Sequence, residues 1–420
     1  MDIILNKGKE SLTNKEILES LEKSIKDLKL SKVLLIPPDF TRFHSNAGMI
    51  TNFYYHYLVN KGVKVDILPA LGTHIRMSKE ECEKMYGDIP YDKFIYHNWR
   101  EDVVKIGEVP SSYLKEISEG LWEEPVDVEV NKIVIDKSYD LVISIGQVVP
   151  HEVVGMANHA KNIFVGCGGK SMINSSHMLG AVYGIERIMG KDFTPVRKLF
   201  DYALTNCLKG YPILFVLTVT SNDENGIKTH GLFIGEKRNV LEEAIKLSLK
   251  INFTALDKPI KKCIVYLDEN EFKTTWLGNK AVYRTRMAIA DEGELIILAP
   301  GVTRFGEDEG VDKLIRKYGY VGRIKVLELF KKNKDLQENM SAAAHLIHGS
   351  NEDRFKTIYA VKKISKEEIK GVNFIPDDFD TLYQRYNVKN LKPGFNMVNG
   401  EEIYFIPNPA LGLWIYKGRM

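Results

Sequence analysis

Asp39, Thr41 and Arg42, then His74, then His151 each follow a short apolar, β-branched run, and their types suit proton transfer and the binding of a polar ligand. The densest polar stretch covers residues 151–177, with three histidines, two lysines and four glycines in 27 residues. Packing alone seldom needs that much polarity and permissive backbone together, so the stretch reads as an active-site segment. An imidazole at a strand end moves protons near neutral pH. One alone is as readily structural, but two with an arginine and an aspartate on one sheet edge point to a site. His177, after Asn174, Ser175 and Ser176, reads either as a metal ligand or as a helix cap. No His-x-x-x-His pair supports a zinc site. The run Gly166-Cys167-Gly168-Gly169-Lys170-Ser171 lacks the glycine that a phosphate loop needs at position 164, which is Phe. Gly168 and Gly169 can still offer backbone N–H groups to a phosphate, or simply form a tight turn. Lys161 and Lys170 read by default as solvated.

The elements that must carry these residues alternate. Residues 13–29 have helical spacing with Thr13 and Glu16 as a capping pair. A strand at 33–36, a helix at 47–61 and a strand at 63–68 follow. Residues 141–150 make a buried strand that ends at His151. Such alternation predicts a largely parallel α/β sheet, whose ligands sit outside the carboxyl ends of its strands. The three polar clusters fall at that edge. Residues 91–139 read as an elaboration with a small antiparallel strand at 126–130. An amphipathic helix at 185–208 comes next. A strand at 211–220 then turns through Asn222 to Gly226 into a return strand, followed by a helix at 240–250. Asp257-Lys258-Pro259 breaks the pattern, and strands at 263–267, 293–299, 357–361, 372–375 and 403–406 open a second α/β run. The expectation is two α/β lobes with largely parallel sheets, residues 1–258 and 259–420, and an active-site cleft between them.

Composition excludes other classes. Apolar content of 44% and charged content of 27% are ordinary for a globular protein. A net charge of +2 gives no electrostatic case for a nucleic-acid partner. Cys82, Cys167, Cys207 and Cys263 show no paired spacing, and no apolar run is long enough for a membrane span or a signal peptide. These features predict a soluble, cytoplasmic protein.

Taken jointly, Asp39-Phe40-Thr41-Arg42, Gly72-Thr73-His74, His151, Lys161 ten residues on and His177 sixteen further resemble the lactate racemase family, which uses a nickel-pincer nucleotide. The resemblance is strongest over residues 30–240. It implies that Lys161 holds the thio-substituted pyridinium mononucleotide covalently and that His177 completes a square-planar nickel. It implies His74 and His151 as paired acid/base residues, Arg42 on the substrate oxygen, and Asp39 with Thr41 ordering the loop and its cofactor contacts. Hydride leaves the hydroxyl-bearing carbon of a 2-hydroxy acid and returns to its other face, while one histidine serves each enantiomer.

The second lobe departs from the family. Tyr283-Arg284-Thr285-Arg286-Met287 keeps the family's tyrosine and lacks its glutamine and lysine, and no tryptophan stands near Gln337 to Met340. This predicts a larger or more polar acid than lactate, such as a sugar acid, with Tyr283, Arg284 and Arg304 as substrate contacts. The expected partners are that small 2-hydroxy acid and the enzymes that make the cofactor. Two other readings stay open, a cofactor-dependent hydroxy-acid oxidoreductase and a non-catalytic carrier of the nucleotide. A carrier has no use for both His74 and His151.

Overall fold

The computed structural model describes residues 2–223, 226–410 and 412–419. The chain forms two compact units, Met1–Ser176 with Gly190–Asn252, and His177–Met189 with Phe253–Met420. The crossing at 252/253 precedes the expected 258/259 because the strand Phe253–Leu256 pairs in parallel with Leu413–Tyr416 of the second unit. The segment His177–Met189, expected in the first lobe, belongs with the second. There Ile185 and Met189 pack with Tyr283, Met287, Leu413 and Ile415.

In the first unit the strands Lys32–Ile36 and Leu141–Gln147 carry almost unbroken apolar runs and are buried on both faces, as central parallel strands must be. Lys64–Ile67 alternates in burial and lies at the sheet edge. Lys32–Ile36 pairs in parallel with both Lys64–Ile67 and Leu141–Gln147, and the latter pairs in parallel with Ile213–Asp223. Gly226–Gly235 and Ile3–Asn6 complete the six-stranded sheet in antiparallel fashion. The turn expected at 222–226 includes Glu224 and Asn225, which lie outside the described residues.

Chain order therefore reverses at Lys32–Ile36, with the next strand on one side and Leu141–Gln147 on the other. This is the topological switch at which α/β sheets open a ligand crevice.

The helix Asn14–Ile25 begins at the capping box of Thr13 and Glu16, as the sequence predicts. The helix predicted at 185–208 is instead two, Ile185–Ile188 and Pro195–Cys207. Apolar spacing runs through the break, but Phe193 takes a left-handed φ of 54° and Thr194 caps a helix with Pro195 in its first turn. Val126–Asn131 pairs antiparallel with Val103–Val109.

The second unit repeats the logic with a six-stranded sheet in the order Ile375–Asp378, Lys356–Val361, Ile289–Ala299, Ile260–Tyr266, Glu401–Ile406, Gly394–Val398. All neighbours are parallel except the last pair. The strand expected at 372–375 starts later because Val372 closes the helix Lys366–Gly371 and Asn373 turns with a φ of 69°. Among the described residues no helix is long and apolar enough to cross a membrane.

Ile143 lies in the middle of the central strand with no exposed surface. Ile143→Ala should cost about 2–5 kcal/mol of stability, seen as a lower denaturant midpoint at unchanged m-value.

Candidate functional site

The strand Lys32–Ile36 runs into Pro37 and Pro38, which cannot donate to a ladder and so release the chain at the sheet edge. Ala70 N–H still donates to the Pro37 carbonyl at 2.8 Å, which keeps the loops after the two neighbouring strands together. The consequence is a contact between them. Asp39 Oδ2 lies 2.5 Å from His74 Nδ1, and Thr41 Oγ1 donates to Asp39 Oδ1 at 2.6 Å. Burial pushes the Asp39 carboxyl up, but His74, Thr41 and Arg42 outweigh it and hold the group below the usual carboxylate range. In the neutral form of the ring, an ionised Asp39 that accepts the His74 Nδ1–H leaves the lone pair on Nε2.

His151 is held differently. The strand Pro150–His151 pairs with Gly155–Met156 in a miniature hairpin that buries the imidazole. Its Nδ1 accepts the Val153 N–H at 3.1 Å, and Glu152 Oε2 lies 3.5 Å from the same atom. A nitrogen that accepts a main-chain N–H carries a lone pair, so the shorter contact decides and the ring proton sits on Nε2. Glu152 is positioned to receive an Nδ1–H in the other tautomer.

Lys161 leads into a π-helical turn, Asn162–Gly166, an element that accumulates at functional sites. Asn162 fixes that turn to the switch point. Its amide donates to the Ile36 carbonyl at 3.1 Å and to Ser144 Oγ at 3.0 Å, bridging the paired ends of the two strands. Gly72 N–H donates to the Gly166 carbonyl at 2.8 Å, so the His74 loop is tied to the far end of the turn. Burial chiefly lowers the Lys161 amine, with Arg42 and Arg197 adding to the effect and Glu152 and Asp39 opposing it, to about 8. Half of such an amine is neutral at pH 8, whereas an ordinary lysine near 10.4 is almost wholly charged.

The glycine-rich loop is corrected by the structure. A Cβ at Gly168 would lie 1.8 Å from the Phe164 carbonyl oxygen, and one at Gly169 would lie 2.3 Å from the Glu129 carboxylate. Ser171 N–H donates to Glu129 Oε2 at 2.9 Å and Gly169 N–H to the Glu129 carbonyl at 3.4 Å. The protein's own anion already sits where the helix Lys170–Tyr183 starts, so the amides expected to face a phosphate are bonded within the fold. Here Gly168 and Gly169 permit close packing.

Asp39, Thr41, Arg42, His74, His151 and Lys161 thus share one edge of the first sheet. His177 lies on the helix Lys170–Tyr183 and is the first residue of that helix to belong to the second unit. In the second unit Tyr283 packs in an apolar cluster, Arg284 is buried with Nη1 donating to the Gly412 carbonyl at 2.9 Å, and Arg304 is exposed with its guanidinium on the Glu307 carbonyl. Among the described residues no three His, Cys, Asp or Glu side chains converge on a metal position. Sequence reasoning missed Asn162, Glu152 and Arg197. Their one signal was proximity to Lys161 and His151, or, for Arg197, a charge in an otherwise amphipathic helix.

Residues 6–186 match the lactate racemase N-terminal domain family. No functionally curated protein matches the chain. Among solved structures the chain is similar to a Thermotoga maritima protein from a structural genomics programme, at 25% identity and a TM-score of 0.85, covering 98% of this chain and 100% of that one. It is also similar to the lactate racemase apoprotein from Thermoanaerobacterium thermosaccharolyticum, at 17% identity and a TM-score of 0.70, covering 99% and 100%. The latter likeness speaks to fold alone.

Asp39→Asn should abolish the preference for the Nδ1–H tautomer of His74, visible as a change in its ¹⁵N ring shifts at neutral pH. The depressed carboxyl also fixes a sign. Its stabilisation is fully present above the unfolded value near 3.9 and is lost as pH falls through the folded value, so the variant's stability deficit should shrink at acid pH.

Proposed function

We propose that this chain, whose residues 6–186 match the lactate racemase N-terminal domain family, is an isomerase that inverts the hydroxyl-bearing carbon of a 2-hydroxy acid. The observation that carries the reading is the pairing of Asp39 and His74 on the same sheet edge as a lysine whose amine is lowered to about 8.

The residues fit the family's cofactor. A half-neutral amine is the form that makes a covalent bond, and Arg42, whose positive charge acts on it, suits an anionic nucleotide. Lys161 would hold the nickel-pincer nucleotide, and His177 would give an imidazole nitrogen to its nickel, with the other donors coming from the nucleotide. When bound, that group supplies an acceptor for hydride, which spares the reaction a carbanion.

The chain's own groups do the rest. Arg42 orients the substrate oxygen with its planar fork of donors, and Thr41 keeps Asp39 in place through their hydrogen bond. His74 Nε2, unprotonated while Asp39 holds the Nδ1–H, removes the hydroxyl proton of one enantiomer. His151 serves the other. Its Nε2–H donates while Val153 N–H occupies Nδ1, and in the other tautomer, with the proton on Nδ1 facing Glu152, Nε2 is a base. We propose Tyr283, Arg284 and Arg304 as residues that select an acid larger or more polar than lactate. Arg284 is the candidate for a buried carboxylate.

Protein co-produced with the cofactor-making enzymes should carry added mass on Lys161, and a panel of chiral 2-hydroxy acids in heavy water should invert without deuterium entering the carbon. Deuterium at the stereocentre means deprotonation of carbon and ends this reading. His74→Asn should lower kcat by about 10²–10⁴-fold while leaving the mass on Lys161 intact. A carrier without turnover would show the mass and no inversion of any acid.

A further inference from the structure

The helix Pro195–Cys207 begins against the segment that leads to Lys161. Thr194 Oγ1 accepts the Arg197 N–H at 3.1 Å and donates to the Val154 carbonyl at 2.9 Å. Arg197 Nη2 donates to the Met156 carbonyl at 2.6 Å and the Asn158 carbonyl at 3.2 Å. Thr194 and Arg197 together thus hold the carbonyls of Val154, Met156 and Asn158, every second residue of the segment that leads to Lys161. Within the same segment Gly155–Met156 pairs with Pro150–His151.

Beyond that point the backbone is strained. Asn158 and His159 are consecutive non-glycine residues in the left-handed region, with φ of 69° and 57°. Such a pair persists only where its surroundings over-determine it. His159 itself contributes stacking: its ring lies 3.8 Å from the Phe215 ring, and neither nitrogen has a hydrogen-bond partner among the described residues. Burial, then the charges of Arg197 and Arg238, keep that imidazole neutral. The side-chain grip on the carbonyls of residues 156 and 158 therefore comes from Arg197.

Arg197 is 1% exposed, and its Nη1 has no partner among the described residues. A buried guanidinium that places its donors on carbonyl oxygens and leaves one nitrogen unsatisfied is a poor source of stability. Its location explains it better. We infer that Arg197 is a positioning residue for Lys161, clamping the carbonyls of Met156 and Asn158 to fix the turn from which Lys161 emerges and keeping a constant positive charge near the amine. This inference rests on the reading of Lys161 as the point of cofactor attachment.

The test uses the cofactor-free full chain, methylated at lysines with isotopic formaldehyde and a borane hydride donor across a pH series and read at Lys161 by mass spectrometry. The native midpoint should lie near 8. Arg197→Met should move it upward, with labelling at pH 7.5 falling roughly threefold or more, since half a unit is about threefold. Arg197→Lys keeps the charge but cannot span both carbonyls. It should hold the midpoint nearer the native value while amide hydrogen exchange at residues 157–161 quickens. Folded variants with native midpoint and native exchange overturn the inference. Should the Met variant not fold, native exchange in the Lys variant is enough to overturn it. Absence of cofactor mass on Lys161 in protein made with the maturation enzymes ends the attachment reading alone and leaves the labelling result standing.

Discussion

Charge at the carboxyl edge of the first sheet is balanced largely inside the protein, because Asp39, His151 and Arg197 are buried and their neighbours are half-buried. Arg42, Arg197 and Lys161 bring positive charge there, and Asp39 and Glu152 answer with carboxylates. In so poorly solvated a place each group's ionisation depends on the others. Asp39 stays ionised against the cost of burial because His74, Thr41 and Arg42 stabilise its charge. Lys161 is pulled toward neutrality because burial and two guanidiniums outweigh two carboxylates. Loss of any one charge would disturb the rest, since an uncompensated buried charge costs more than its pairing was worth.

That balance requires loops from different strands to arrive at one place, and the sheet topology supplies it. Lys32–Ile36 has its successor on one side and Leu141–Gln147 on the other, so two loops diverge and leave a gap. Asn162 closes the base of that gap by bonding to Ile36 and Ser144, which face each other on the paired strands. A side-chain amide suits the task because it offers two donors in one plane and carries no charge into an already charged edge. The π-helical turn that follows lets the chain pass close to Ala70, where a side chain on residue 166 would lie 2.5 Å from the Ala70 Cβ.

Much of this was legible in the sequence, and the reasons for what was not are physical. The apolar runs of 33–36 and 141–150 identify central parallel strands, since only strands covered on both faces dispense with alternation. The polar clusters at their ends followed from that. The break between Ile188 and Pro195 stayed hidden because apolar spacing continues across it, although Pro195 is itself a mark of a helix start. The unit boundary moved because Phe253–Leu256 finds its partner about 160 residues later, a pairing that local pattern does not encode. The loop around Gly168 looked like a phosphate cradle because glycine content cannot reveal Glu129, some 40 residues earlier, filling the helix start. Arg197 escaped for the same reason: its buried partners are main-chain carbonyls, which have no signature in residue type.

The two histidines are unlike in their supports, and racemisation does not require likeness. His74 leans on a buried carboxylate, whereas His151 has a main-chain N–H on the corresponding nitrogen and a carboxylate one step away. A site built from L-residues cannot be mirror-symmetric, and it need not be. Enantiomers have equal free energy in solution, so kcat/KM must be the same in both directions whatever the protein does. Unequal bases then cannot favour one product at equilibrium. Their difference is confined to how each direction divides between kcat and KM: the enantiomer bound more tightly turns over more slowly by the same factor. For a sugar acid with other stereocentres the two forms are epimers, and the overall constant departs from one by their own difference in stability. The asymmetry of His74 and His151 is therefore compatible with interconversion at either kind of carbon.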